Sequence, residues 1–442
     1  MTFGAIALAS ACHPALAVLH LSERDGVMKR LVLSLVAGMS VAFVGCTARE
    51  PIGPIAAAMG AGKSVVVTPD SATVEPGGTQ QFTAQFFQNG HEKKALFSWS
   101  SSDPSVATVN STGTVTAVAS GEATITATTG MTSGSAHVTV QGQTTPPQFF
   151  GRVVLSGAGA FGSAVSAPGI AWVSQPNSGL VTRLDISGDT AMVTGSTGAG
   201  PLPVQVSANG DGSRIYVPTF FSNAMVMSIN TSTLAGVDTV FATDHGEDAY
   251  GVTNTPAGDT VFLGITNGPV FKIDMRGRTV LGRIDFPVAA GYHFEWNAAR
   301  TRLYASQRGF DGGRVFEIDP NSFTNLRTFE TGGGAQGIQL SADGSKLFVA
   351  AQNGGIIVWD VASNSLVTTY ATPGCSPYGL VRIPSFLVVG CVFEGLVEVL
   401  DPGTGALIET LSVGGAPREL SYDPSTRKII VPNESGWVDV LR

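Results

Sequence analysis

Charge is scarce in this chain of 442 residues, since Lys, Arg, Asp and Glu together make up only 13% of it. With 55 glycines beside so few charges, the composition fits a turn-rich, all-β protein rather than a helical one. Basic clusters are absent and the formal net charge is -8, which excludes a phosphate-neutralising surface and with it a nucleic-acid partner. The apolar run from Leu31 to Val44 has 14 residues, short of the roughly 20 that a spanning helix needs. Nucleophile motifs, phosphate loops and cofactor signatures are missing too, so the sequence assigns no catalytic residue and no cofactor.

What is present is repetition. The stretch from Gln336 to Val413 writes one unit twice, as "GIQLSADGSKLFVAAQNGGIIVWDVASNSLVTTYAT" and "GLVRIPSFLVVGCVFEGLVEVLDPGTGALIETLSV". Each copy has four short apolar-alternating runs separated by turn residues, the pattern of a small four-stranded antiparallel sheet. The residue that closes the third run recurs as Asp185, Asn230, Asp274, Asp319, Asp360 and Asp401, at spacings of 45, 44, 45, 41 and 41. "DP", "DPN" and "DVASN" at these places let the side chain cap its own turn, a structural role. "ANGDG" (Ala208 to Gly212) reads as a lengthened turn, because it lacks the closing Glu of a calcium loop. A seventh copy reaches only its third run, "GWVDVLR". The run "FFGRVVLSGAG" (Phe149 to Gly159) matches the fourth runs of the other copies, so strand exchange between the two is expected to close a ring of seven sheets.

These repeats, carried by "VQVSANGDGSRIYV", "GVTNTPAGDTVFL", "FEWNAARTRLYA", "IQLSADGSKLFVA" and "ELSYDPSTRKIIV", resemble those of seven-bladed β-propellers of the YVTN kind. The resemblance covers about two-thirds of the chain. It implies an architecture and leaves the function open.

Ahead of the repeats lies a different pattern. "SVVVTP", "TQQFTAQF", "FSWSSSD", "VATVN", "GTVTAV", "ATITATT" and "SAHVTVQ" alternate strictly, predicting seven short strands of a β-sandwich with Phe82, Phe97, Trp99, Val109, Val115 and Ile125 as its core. "SATVEPGGTQQFTA", "WSSSDPSVATVNSTGTVTAVASGEATITAT" and "SGSAHVTV" resemble the bacterial Ig-like domain of group 2, a family of spacers and adhesion modules. His91 and His137 stand singly in this stretch and read as a surface loop and a strand face.

At the N-terminus, "MKRLVLSLVAGMSVAFVGC" places Lys29 and Arg30 before the apolar run and Gly45 before Cys46, and resembles a lipoprotein signal peptide with Cys46 as the lipidated residue. The expected organisation is an over-extended start at 1–27, a signal peptide at 28–45 and a tether at 46–63. An Ig-like domain at 64–141, a Pro-stiffened linker at 142–148 and a propeller at 149–442 follow. "LASAC", ending at Cys12, is a competing lipobox. By analogy with lipoprotein sorting, Thr47 in place of Asp favours the outer membrane, so the protein is expected to be exported and lipid-anchored at the outer membrane or periplasm.

In a four-stranded blade the d-to-a and b-to-c loops share one face. One position after the start of each innermost strand, the aligned residues on that face are Leu202, Tyr250, Tyr292, Gln336, Tyr378 and Arg418; the b-to-c loops add Phe220, Phe221, Phe310, Phe393 and Glu394. Aromatic bodies with polar tips at a concave mouth suit a protein, peptide or glycan ligand, whereas the same side chains packed between blades would bind nothing. "DHGED" with "GYHFE" gathers Asp244, His245, Glu247, Asp248, His293 and Glu295, a set for a divalent metal or for acid and base in an enzyme resembling the propeller lyases and lactonases, or simply solvated loop charge. Three functions stay open: a binding or scaffold protein of the cell envelope, a propeller enzyme, and a structural envelope protein. Finally, the hairpin around Ile383 to Ser385 sets Cys375 and Cys391 near-opposite with an even separation of 16, on the same side of the pleat. Export supplies an oxidising compartment, so a disulfide is expected there, contributing on the order of 3 kcal/mol.

Overall fold

A computed structural model describes residues 62–442, apart from 119, 143–144, 158, 221–222, 244–246, 267, 287–290 and 308–311. Cys12, Cys46 and the whole N-terminal segment to residue 61 lie outside the described residues.

Between Lys63 and Val140 the chain forms ten short strands in three sheets, where the alternation predicted seven. The difference is instructive at "TQQFTAQF". This run divides into Thr79–Gln81 and Thr83–Gln88 because Phe82 turns fully inward and gives its N–H to the Gly113 carbonyl at 2.9 Å. The two halves then join different sheets. Phe82, Val115 and Ile125 are fully buried, while Phe97, Trp99 and Val109 pack against them from the edge of the core. Gly113 is needed there: its φ of +82° lies in the left-handed region, and a Cβ would meet the Trp99 ring at 2.7 Å. His91 and His137 are both exposed.

Beyond Phe149 the fold is an all-β propeller of seven four-stranded sheets. Blades one to six are each a run of four consecutive antiparallel strands, spanning 163–198, 207–241, 249–284, 294–329, 335–370 and 377–412. Each blade buries its faces against its neighbours; Trp172 of blade one, for example, packs with Ile215 and Val217 of blade two, all fully buried. The six side chains at the close of the third strands cap their own turns. Asp185 Oδ1 accepts from Ser187 N, Asn230 Oδ1 from Ser232 and Thr233 N, and Asp274 Oδ1 from Arg276 and Gly277 N. Asp319, Asp360 and Asp401 do the same with Asn321, Ser363 and Gly403. The Ser187 hydroxyl and N–H on Asp185, the Ser322 and Asn321 N–H groups on Asp319, and the Ser363 N–H and hydroxyl on Asp360 hold these three carboxyls below the usual range.

Blade seven is built from both ends of the ring. Trp437–Leu441 pairs on one side with Lys428–Asn433 and on the other with Phe149–Val154, so a segment almost 290 residues earlier supplies the outermost strand. Arg152 of that strand donates its Nε to the fully buried Asp439 at 2.6 Å, lies over the Trp437 ring at 4.4 Å, and donates a second bond to the Val413 carbonyl of blade six. Trp437 Nε1 reaches the other carboxylate oxygen of Asp439 at 2.9 Å. Burial still pushes the Asp439 carboxyl above its ordinary range against the pull of Arg152. On the inner side, the buried Asp423 accepts from Gly169 N at 2.7 Å and the buried Lys428 donates to Ile186 O at 2.8 Å, joining blade seven to blade one. An ion pair between Glu75 of the sandwich and Arg427 of blade seven is half exposed, worth about 0–1 kcal/mol, too little to couple the two cores.

In blade six, Cys375 lies in the turn just before the innermost strand Pro377–Arg382 and Cys391 ends the strand Leu387–Cys391. They are disulfide-bonded, with Cα atoms 4.9 Å apart. The strand register places Pro377, not Cys375, opposite Cys391, so the bond ties the entry turn to the strand end and is not a cross-strand rung. Beside it Glu398 is 2% exposed, and burial together with the charge of Glu394 raises its carboxyl to about 7.

Replacing Arg152 by Ala leaves Asp439 buried opposite Trp437 alone. Because Arg152 is itself about a third exposed, the expected loss is about 1–3 kcal/mol rather than the full cost of stranding a buried charge. Chemical denaturation monitored by Trp fluorescence reads it, with limited proteolysis expected to begin in blade seven.

Candidate functional site

In a ring of blades the innermost strands converge, and the short segment that enters each of them runs over the axis. The residues at this entry position form one aromatic layer. Tyr250 and Tyr292 stack at 3.6 Å between centroids and 17° between planes, and Tyr250 meets Tyr378 hydroxyl to hydroxyl at 2.6 Å. Phe161 stands edge-on to Tyr250 and Tyr378 at 5.8 and 6.2 Å. Arg418 lies over the rings of Tyr378 and Phe161 at 4.6 and 5.1 Å, with its Nη2 bonded to Glu434 at 2.7 Å. Together with Leu202, Val204 and Phe220 these side chains wall a cavity of about 290 Å³ at the channel mouth. Its lining is apolar except for Arg418 and the tyrosine hydroxyls.

The layer is therefore a plug and not an open ring of exposed tyrosines: Tyr250, Tyr292 and Tyr378 are 5%, 3% and 2% exposed. Burial, reinforced by the neighbouring phenols, holds the Tyr250 and Tyr378 hydroxyls far above their ordinary pKa. The residue that follows in the chain points into a second chamber. Gly162, Gln205, His293 and Glu419 succeed Phe161, Val204, Tyr292 and Arg418, and with Ser163, Ser207, Thr253 and Gln339 they line a cavity of about 210 Å³. Across it His293 Nδ1 and Glu419 Oε2 are 2.8 Å apart, and Gln205 donates to the Tyr292 carbonyl at 2.9 Å. His293 Nε2 and Glu419 Oε1 are buried without protein partners.

Five of the six aligned entry positions, Leu202, Tyr250, Tyr292, Tyr378 and Arg418, thus meet at one cavity with Phe220. Gln336 does not join them; it is buried and bonded to Gln352 at 3.1 Å. Phe393 is also apart, 70% exposed on its loop, while Glu394 is turned back onto Ser376 N and Oγ at 2.8 Å each. Phe221 and Phe310 lie outside the described residues. The entry residue of blade one, Phe161, joins the layer and escaped the sequence reading, although "GAFG" aligns with "DAYG", "AQG" and "PYG".

Among the described residues, the members of the acidic and histidine set do not assemble as one group. Asp244 and His245 lie outside the described residues. Glu247 and Asp248 use their carbonyls to bind Ala224 N at 2.7 Å and Thr266 Oγ1 at 2.7 Å. His293 turns inward to Glu419, which comes from the opposite side of the ring. Glu295 sits farther down the inner strand, accepting from Leu340 N at 3.3 Å and Gln339 Nε2 at 3.4 Å, with burial raising its carboxyl to about 7. Alternation along the strand keeps His293 and Glu295 on one side of the pleat, but their partners come from different blades. Among the described residues, the His, Cys, Asp or Glu group with three ligand atoms within 4.8 Å of one another is Cys375, Cys391 and Glu398.

Residues 61–140 match the family model of the bacterial Ig-like domain (group 2). No curated protein matches the chain. Among solved structures, the chain is similar to a chain of the hydrazine synthase of Kuenenia stuttgartiensis at a TM-score of 0.58 and 16% identity, over 66% of this chain and 97% of that one. At that identity the likeness is one of fold. An Ig-like domain of this group followed by a propeller-like head makes a β-rich protein of the extracellular type.

Removing the Tyr250 hydroxyl strands that of Tyr378, so Tyr250→Phe should cost about 1–3 kcal/mol in urea denaturation. Tyr378→Phe should cost less, because Tyr250 keeps a bond to Tyr292. The pH dependence has a fixed sign. Both phenols have folded pKa values above the unfolded value of about 10, so their contribution is complete below pH 10 and is lost as pH rises beyond it. The melting temperature of the wild type is expected to fall above about pH 10, and that of the double Phe variant to fall less steeply.

Proposed function

We propose that the chain is an exported, lipid-anchored binding protein of the cell envelope, in which Cys46 carries the anchor, residues 46–63 the tether, the Ig-like domain the reach, and a YVTN-type propeller head the ligand site. The observation that carries this reading is the aromatic-walled cavity of about 290 Å³ at the mouth of the channel. Its walls favour one class among the ligands that the rim residues suit. A sugar needs several polar groups set in the plane of its hydroxyls, but here the Tyr250 and Tyr378 hydroxyls bind each other. An apolar side chain of a protein or peptide gains from burial against Phe161, Leu202 and Phe220, with about 1.5–3 kcal/mol available to one large side chain. The order of the chain supports the reading as well, because a spacer between anchor and head serves a head that must reach a partner. An enzyme on the same face has less support, since the described acids and His293 do not converge at the mouth.

The test uses the full chain on a peptide array and a glycan array, beside a Phe220→Asp variant that places a carboxylate in the mouth. Binding to peptides with protruding Leu, Phe or Trp, weakened at least about tenfold in the variant at an unchanged melting temperature, is expected. Glycan-only binding, or peptide binding indifferent to Phe220, would overturn the assignment.

A further inference from the structure

Three residues before each turn-capping position, the seven blades carry Thr182, Met227, Phe271, Phe316, Ile357, Glu398 and Asp439. This position faces a blade interface, and four of its occupants are apolar. Thr182 bonds to Gln175, and Asp439 has Arg152 and Trp437. Glu398 has neither solution. It is 2% exposed, its Oε2 accepts no hydrogen bond, and no cation pairs with it among the described residues. A buried carboxyl oxygen left without a partner costs stability, and its presence calls for a role.

What lies beside it is the disulfide. Glu398 pairs with Val389 across the strands, and Cys391, two residues along from Val389, shares that face as its diagonal neighbour. The surroundings are apolar: Phe348, Ala350, Ile356 and Val358 of blade five cover this face, with Cys375 packed against them. The two sulfurs and a carboxylate oxygen come within 4.8 Å of one another. Glu394, fixed on Ser376 next to Cys375, adds a second negative charge nearby.

We propose that blade six carries a redox-gated site for a borderline divalent cation of the zinc type, held by Cys375 Sγ, Cys391 Sγ and one carboxylate oxygen of Glu398. In the disulfide the sulfurs are bonded to each other and the site is closed. Access is through Cys375, which is half-buried in a turn whose Pro373 and Gly374 are exposed. A dithiol reductant attacks Cys375 Sγ and releases Cys391 as a thiolate; the second thiol of the reductant then closes on the mixed disulfide. Two electrons pass to the protein disulfide, the reductant leaves as its own disulfide, and its two protons go to the cysteines. The cation then displaces those protons to solvent and forms two metal–sulfur bonds of about 2.3 Å and one metal–oxygen bond of about 2.0 Å, with water at the fourth position. Disulfide and metal are thereby alternative staples for the same turn, and the unpartnered Glu398 oxygen is the group that only the second one uses.

Cobalt(II) reports this chemistry, because thiolate ligation gives a charge-transfer band in the near ultraviolet that surface His and carboxylates cannot produce. The full chain is reduced with a phosphine, desalted anaerobically and titrated with Co²⁺, beside the oxidised chain. Reduced wild type is expected to develop the band at a single equivalent and lose it to Zn²⁺, the oxidised chain to show none, and Glu398→Gln to keep the band with affinity lowered on the order of a hundredfold. A reduced chain that stays folded by circular dichroism without the band, or a Glu398→Gln variant as tight as wild type, overturns the proposal. If reduction unfolds the chain, recovery of the spectrum with one equivalent of Zn²⁺ supports the site, and failure to recover overturns it.

Discussion

The pairing of Phe149–Val154 with Trp437–Leu441 is the constraint on which the head depends. A row of seven stacked blades leaves an uncovered apolar face at each end, and a three-stranded last blade would leave Trp437–Leu441 unpaired on its outer side. Exchange of one strand pairs that strand and ties the last blade to the chain that enters the first. The seam is also where the polar interior is richest: Arg152 with Asp439, Lys428 on Ile186 O and Asp423 on Gly169 N all join parts of the chain separated by more than 240 residues. A hydrophobic seam would close a ring of any phase, whereas these buried donors and acceptors are satisfied only when blade seven meets blade one in this register.

Closure dictates where a site can form. Once the ring is shut, seven entry segments must cross the axis, and side chains from opposite blades come within bonding distance. Tyr250 of blade three reaches Tyr378 of blade six, and His293 at the entry to blade four reaches Glu419 at the entry to blade seven. The layer that results has an apolar cavity on its outer side and a polar chamber on its inner side, because alternate residues along each entry segment face opposite ways. The same burial that raises the phenol pKa values makes the outer cavity suited to an apolar group and the inner one dependent on its own internal bonds.

Position in the repeat sets the cost of a polar residue. Six Asp or Asn side chains at the turns are exposed enough to be cheap and are used by the backbone itself. Three positions earlier, the same strand enters a blade interface where an acid must find a partner. Asp439 finds one in the closing strand; Glu398 has a disulfide for a neighbour instead. That contrast between two acids at one repeat position gives blade six a chemistry its siblings lack.

Strand period, turn chemistry and repeat length determined a great deal by themselves, because each is local. The alternation and the Asp ruler put the seven blades, the closing strand and the capping role of Asp185 or Asp401 in plain view, and the spacing of Cys375 and Cys391 brought the two sulfurs to one hairpin. The group-2 Ig-like segment was legible from its strand-by-strand pattern, although Phe82 dividing one run into two strands was not. Only the tertiary structure decided which way the entry residues turn. Tyr250, Tyr292 and Tyr378 share a repeat position with Gln336, yet Gln336 bonds to Gln352 in its own blade while the tyrosines interlock on the axis. His293 and Glu295 look like neighbours in sequence, but His293 is claimed by Glu419, 126 residues away, and Glu295 by Gln339 and Leu340 of the next blade. The reason is physical. A repeat pattern records what each blade needs for its own strands, whereas contacts across the channel depend on the number of blades and the closure of the ring, and no single repeat encodes either.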